Sequence, residues 1–149
     1  IALNQHYQEL QKQGVEVFAV SIDSAFSHLA WKNTPVNKGG IGNVHFPMIA
    51  DVSHNITRTY GAEHPEAHVA YRATYIIDPN KTVRTMTLHD LPIGRNMGEL
   101  IRVIDALKYH EQHGEVCPAN WEKGQPAMQP TQQGVQQYLT NQEKEDTSS

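Results

Sequence analysis

An α/β fold built as a three-layer sandwich is predicted by three features of the sequence. Val15-Glu16-Val17-Phe18-Ala19-Val20-Ser21-Ile22 is a short, mostly apolar, β-branched run of the kind that forms a strand covered on both faces. Beyond Asn96, residues Met97, Leu100, Ile101, Ile104 and Leu107 fall on one stripe of a long helix. Between these two segments, strand-like and helix-like stretches alternate, an order that stacks helices against a sheet.

Each element has its own warrant. Ile1, Leu3, Tyr7 and Leu10 approach helical spacing over Ile1–Gln13, and Gly14 stops that helix. After the first strand, Asp23 and Ser24 offer an N-cap for a helix through Trp31 and Lys32. Thr34-Pro35 ends it, and Lys38-Gly39-Gly40-Ile41-Gly42-Asn43 reads as a flexible loop. Phe46–Ala50 suits a second short strand, and Ser53 is expected to cap a helix through Tyr60 that Gly61 closes. Val69–Asp78 reads as a strand, Pro79-Asn80 turns the chain, and Thr82–Leu88 returns as a strand suited to a sheet edge. Asn96 caps the long helix. From Gln112 onward the composition turns to Gly, Pro and Gln, and the last nine residues are polar, so an arm or tail is expected there.

At 149 residues the chain suffices for one domain with a core, and 38% hydrophobic against 19% charged residues fits a soluble protein. No run approaches the ~18 apolar residues of a membrane span. Net charge is −4, and the Lys and Arg residues are scattered, which argues against nucleic acid as a main partner. Nothing resembles a signal peptide, so the cytoplasm is the expected compartment. The chain opens on Ile1 inside an apparent helix, so a preceding segment is expected.

One cysteine, Cys117, excludes an intrachain disulfide framework and a multi-cysteine zinc site, but not a disulfide to another chain. A lone cysteine is commonly inert and buried. Cys117, however, lies in His113-Gly114-Glu115-Val116-Cys117-Pro118-Ala119-Asn120-Trp121, outside the periodic core, where a thiol has access to another sulfur. Among the nine histidines, His64 and His68 are four apart and His110 and His113 three apart, spacings that can serve a metal. No carboxylate completes either pair, so they read as solvated surface residues, and no metal or cofactor is implied.

Glu115-Val116-Cys117-Pro118-Ala119 with Trp121 resembles the resolving-cysteine motif of typical two-cysteine peroxiredoxins, the group of thiol-specific antioxidants and alkyl hydroperoxide reductase C subunits. Four further segments resemble that family in the same order. Val20-Ser21-Ile22-Asp23-Ser24 with His28-Leu29-Ala30-Trp31 and Asn33-Thr34-Pro35 is similar to its second strand–helix unit. Gly39-Gly40-Ile41-Gly42 is similar to its Gly-Gly-Leu-Gly loop, and Asp90-Leu91-Pro92-Ile93-Gly94-Arg95 to its Asn-Asp-Leu-Pro-x-Gly-Arg segment. Tyr138-Leu139 stands where sensitive members carry Tyr-Phe, and the replaced Phe leaves over-oxidation behaviour open.

The resemblance implies a thioredoxin-like fold and a thiol-dependent peroxidase reducing hydrogen peroxide and alkyl hydroperoxides. Cys117 corresponds to the resolving cysteine, which condenses with a peroxidatic sulfenic acid into an intersubunit disulfide. A thioredoxin-like or flavoprotein reductant then reopens that bond. Arg72 corresponds to the arginine that stabilises the thiolate and peroxide, and Arg95 to a supporting arginine. Taken alone, Arg72 reads as a strand-end cation whose stem packs while its head stays wet, and Arg95 as an exposed cation ahead of a helix. Trp31 matches a family aromatic near the site. Homodimers through the edge strand, and rings of dimers, are the implied assemblies. On this basis residues 1–111 form the peroxiredoxin domain, incomplete at its N-terminus, and 112–149 an arm with the resolving cysteine and a polar tail.

The family's Pro-x-x-x-Thr-x-x-Cys motif does not occur in these residues, and motif order puts it just ahead of Ile1. The strand leading into it is expected between the strands at Val15 and Thr74, in mid-sheet. A middle strand carries about five buried apolar side chains at ~1.5–3 kcal/mol each. That is comparable to the ~5–15 kcal/mol stability of a whole domain. The 149 residues alone are therefore expected to fold poorly and to lack peroxidase turnover. The alternative reading is a non-catalytic assembly or holdase-like subunit, and a metal module built on the histidines ranks behind both.

Overall fold

The computed structural model describes residues 1–146, with side chains described through residue 144. Helix α1 (Ala2–Lys12) points Leu10 inward and ends where Gly14 turns left-handed at φ 74°. Gly14 N–H donates to the Gln11 carbonyl and Val15 N–H to that of Leu10, so two terminal carbonyls are satisfied at the stop.

Strand β1 (Ala19–Ser21) pairs in parallel with β2 (Met48–Ala50), in the register Ala19↔Met48 to Ser21↔Ala50. The strand expected over Val15–Ile22 is thus three residues long, because a ladder extends only as far as its partner. Between them, α2 (Ala25–Asn33) begins at Ser24, whose hydroxyl accepts Ser27 N–H, and packs on β2. The loop after it is tightly built, contrary to the flexible connector expected. Gly40 N–H donates to Pro35 O, Ile41 N–H to Trp31 O and Gly42 N–H to Thr34 O. A Cβ on Gly40 would stand 2.0 Å from the Thr34 carbonyl oxygen, so only glycine fits.

Helix α3 (Asn55–Thr59) packs on β1. Ser53 does not cap it. The residue at the N-cap is His54, in the left-handed region, and Asp51 supplies the acceptor. Its buried carboxylate accepts Ile56 N–H at 3.1 Å, Thr57 N–H at 2.7 Å and the Thr57 hydroxyl at 2.6 Å. Gly61 closes α3 as expected, at φ 66°.

β3 (Arg72–Ile77) and β4 (Val83–His89) form an antiparallel hairpin running from Arg72↔His89 to Ile77↔Val83, with an irregularity between Ile76 and Ile77. Its turn is tied by Asp78, which accepts Thr82 N–H through Oδ1 and Arg84 Nη1 through Oδ2. Among the described residues the strands form two separate two-stranded sheets, β1–β2 and β3–β4. Phe26 is 86% exposed, and Phe18, Leu29 and Ile77 are also exposed apolar side chains.

Packing divides the chain after Arg95, so the next helix groups with the arm that follows it; the compositional change falls later, at residue 112. In that second unit α4 (Met97–His113) is capped by the Asn96 side chain, which accepts Glu99 N–H, and ends at Gly114 with φ 68°. The expected polar tail is instead largely α5 (Gln132–Asp146), started by the Thr131 hydroxyl accepting Gly134 N–H. The rest of that tail, residues 147–149, lies outside the described residues. Between α4 and α5 the chain is irregular except for one antiparallel bridge, Val116↔Met128.

Candidate active site

Arg72 opens β3 and stands opposite His89 at the end of β4. The segment after β4 folds back over that end. Asp90 accepts Leu91 N–H through Oδ1 at 2.7 Å, Ile93 N–H donates to Asp90 O, and His89 Nδ1 donates to Gly94 O at 3.2 Å. This turn brings Leu91 to Arg72, whose Nε donates to the Leu91 carbonyl at 3.3 Å. It also carries Arg95 back to β3, where Nη1 donates to Ala73 O at 3.0 Å and to Thr74 Oγ1 at 3.4 Å.

The two guanidiniums therefore share one end of the hairpin. Burial of the Arg95 head lowers its pKa, although other parts of the residue are exposed, and the positive charge of Arg72 lowers it further. Neither arginine has a carboxylate partner among the described residues. Two adjacent cations without a counter-charge among the described residues repel each other. They favour an anion there, such as a thiolate or a developing oxyanion, and the Arg forks can hold two of its lone pairs.

A second charged cluster went unnoticed in the sequence. The Glu63 carboxylate accepts His54 Nδ1 at 2.8 Å and Arg58 Nε at 2.7 Å, and His68 Nδ1 lies 3.9 Å away. The Arg58 contact, then His54, lowers the Glu63 pKa. Glu63 also pairs with Ala70, so the carboxylate ties α3 to the stem that leads into Arg72. Neither the Arg58–Glu63 nor the His54–Glu63 spacing is helical or β-like, so no periodicity could have exposed it. His64 has its own role: its Nδ1 accepts Glu66 and Ala67 N–H at 3.2 Å each. No group of three or more His, Cys, Asp or Glu suited to a metal occurs among the described residues.

Cys117 lies in the second unit, half-buried and free. Its thiol donates to the Ala106 carbonyl on α4 at 3.6 Å. Burial raises its pKa and Glu115 adds to the rise, while Arg102 pulls the other way. The surrounding loop is well fastened. Glu115 accepts the Tyr109 hydroxyl at 2.7 Å and Gln129 Nε2 at 2.9 Å, and its carbonyl accepts His110 Nδ1 at 2.8 Å. Trp121, 1% exposed, lies 5.1 Å from Tyr109 between ring centres and donates Nε1–H to Gln125 O. His113 Nδ1 donates to Tyr109 O, so His110 and His113 are both spent on backbone carbonyls. Trp31, in the first unit, is half-buried and tilted against His28 at 5.4 Å.

Residues 1–86 match the AhpC/TSA family, and residues 106–141, which contain Cys117, match the C-terminal domain of 1-Cys peroxiredoxin. Alkyl hydroperoxide reductase C of Helicobacter pylori is 50% identical over 139 residues, covering 93% of this chain and 70% of that protein. The chain belongs to the AhpC/TSA family of peroxiredoxins. The protein of the same description from Buchnera aphidicola subsp. Schizaphis graminum is 48% identical, with the same 93% and 70% coverage. The reduced 2-Cys peroxiredoxin of Plasmodium vivax superposes with a TM-score of 0.90 at 41% identity, over 93% of this chain and 72% of that one. The fold is thus the thioredoxin-like one of peroxiredoxins, and this peroxiredoxin is a thiol peroxidase, an antioxidant oxidoreductase.

Proposed function

We propose that Cys117 is the resolving thiol of a two-cysteine cycle that reduces hydrogen peroxide and alkyl hydroperoxides. One observation carries the reading: the single sulfhydryl of these residues is half-buried in an irregular loop, held by one long contact of 3.6 Å to Ala106. A thiol so placed is protected at rest and is released by a small local opening. The peroxidatic thiolate, a second sulfur that these 149 residues do not include, attacks the O–O bond, becomes sulfenic acid and releases water or an alcohol. The sulfur of Cys117 then bonds to the sulfenic sulfur, the S–O bond breaks, and the hydroxide leaves as water with the proton Cys117 gave up.

In this reading Arg72 and Arg95 stabilise the peroxidatic thiolate and the departing peroxide oxygen, supported by the lack of a carboxylate partner to either among the described residues. The disulfide joins two subunits of a homodimer formed along β4, whose outer edge is unpaired among the described residues and whose Val83, Met86 and Leu88 are exposed, and such dimers build rings. A thioredoxin-like or flavoprotein disulfide reductant restores both thiols, in the cytoplasm.

The test is limiting peroxide added to the reduced native enzyme, followed by non-reducing electrophoresis and peptide mapping. A disulfide-linked dimer containing Cys117 is expected, and Cys117→Ser should abolish it while one peroxide is still consumed per subunit. A linked dimer that persists in Cys117→Ser would refute the assignment.

A further inference from the structure

His89, the last residue of β4, stands opposite Arg72, so the two side chains share one face of the hairpin. Thr74, two residues along β3, lies on that face as well, and Arg95 comes back over it to reach Thr74 Oγ1. The bond from His89 Nδ1 to Gly94 O, 3.2 Å long, joins the residue before the turn 90–93 to the residue after it. A carbonyl only accepts, so Nδ1 carries a proton. The contacts of Asp90 with Leu91 N–H and Ile93 N–H bend the turn at its start. His89 closes it and fixes the carbonyl just ahead of Arg95. Both arginines have long side chains with much rotamer freedom, and both depend on this turn. It supplies the Leu91 carbonyl to Arg72 and the chain direction that brings Arg95 to Ala73 O.

We propose that His89 is a positioning residue of the peroxidase reaction, acting through Arg72 and Arg95 by closing the turn that sets both guanidiniums. The inference rests on the reading that these two arginines stabilise the peroxidatic thiolate and the departing oxygen. A guanidinium stabilises developing charge only when its N–H groups already point to where that charge appears. A misplacement of about 1 Å costs up to about a hundredfold in rate. Losing one bond of the turn leaves the Asp90 contacts standing, so a loss of about tenfold is expected. The donor atom also suits its surroundings. An imidazole can donate without adding a third obligate cation beside the pair, which Lys or Arg at this position could not.

The experiment is rapid mixing of the reduced native enzyme with hydrogen peroxide, reading the second-order rate constant of peroxide consumption, with thermal melts alongside. His89→Phe keeps a ring and loses the donor, and its rate constant should fall about tenfold. His89→Asn loses the ring but keeps an N–H the same number of bonds from the backbone, and should stay within about twofold of the parent. Arg95→Met lowers the rate by itself, and His89→Phe added to it should cost about threefold at most, because part of its route is already gone. A residue that only steadied the hairpin would shift the melt without this non-additivity. A rate within about twofold of the parent in His89→Phe, a His89→Asn as slow as His89→Phe, or the full loss repeated on Arg95→Met overturns the proposal. Parent-like rates in both Arg72→Met and Arg95→Met overturn the reading of the arginines, and the role of His89 with it.

Discussion

Trp121→Ala offers the sharpest measure of how the cysteine loop is held. The indole is 1% exposed, packs against the Tyr109 ring at 5.1 Å and donates Nε1–H to Gln125 O at 3.0 Å. Burying a side chain of ~200 Å² at ~25 cal/mol per Å² is worth about 5 kcal/mol as an upper figure. Truncations of buried tryptophan cost about 3–5 kcal/mol, and partial collapse of the loop favours the lower end. The loop's opening free energy should therefore fall by about 3 kcal/mol, about a hundredfold in the open population. Hydrogen exchange reads this directly through the paired amides of Val116 and Met128, whose bonds are 2.8 and 3.0 Å. Both should lose about a hundredfold of protection, and Cys117 should alkylate faster, while amides of the β3–β4 hairpin are unchanged. Trp121→Phe keeps the ring and loses one hydrogen bond, so it should cost only about 1–2 kcal/mol. Protection at Val116 and Met128 within threefold of the parent in Trp121→Ala would refute the claim that this indole secures the loop.

Arg95→Met removes a desolvated cation that faces Arg72 without a counter-charge. It should lower peroxidase turnover in the native enzyme and, by losing the bonds to Ala73 O and Thr74 Oγ1, cost about 1 kcal/mol in a denaturant titration; unchanged turnover would contradict a place for Arg95 beside the reacting sulfur. The Glu63 pKa is depressed below its ordinary 4.5 by Arg58 and His54, so its contribution to stability is fully present above that value and is lost as pH falls through the lower, folded-state value. Urea midpoints measured below about pH 4.5 should therefore fall more steeply for the parent than for Glu63→Gln. Gly40→Ala places a methyl 2.0 Å from Thr34 O and should destabilise the first unit by about 1–3 kcal/mol in a denaturant titration.

Signals confined to a few residues were legible in the sequence. Asn96 and Gly114 bound α4, Ser24 starts α2, and Gly14 and Gly61 stop their helices, because each acts on backbone within one turn. Signals that depend on a partner were not. The extent of β1 is set by β2, and α3 is capped by Asp51 from outside the helix, where Ser53 had the better local credentials. Polar composition suggested a tail at the C-terminus, yet Gln, Glu and Lys are good helix formers, and Thr131 supplied the start of α5. Arg72, Arg95 and Cys117 were singled out only through likeness to a family, since a strand-end arginine or a lone cysteine has bland local surroundings. The meeting of Arg72 and Arg95 needed the fold-back of Asp90–Gly94, and the Glu63 cluster needed the stem that pairs Glu63 with Ala70.

The Val116–Met128 bridge has a thermal consequence. In the proposed resolving role, a sulfur fastened beside two reciprocal backbone bonds would travel only after they break, so its reaction would inherit the enthalpy of a small unfolding event. Turnover limited by such a release climbs with temperature more steeply than bond-making between sulfurs does. In the cold, the same enzyme would leave its oxidised intermediate waiting longer for a partner.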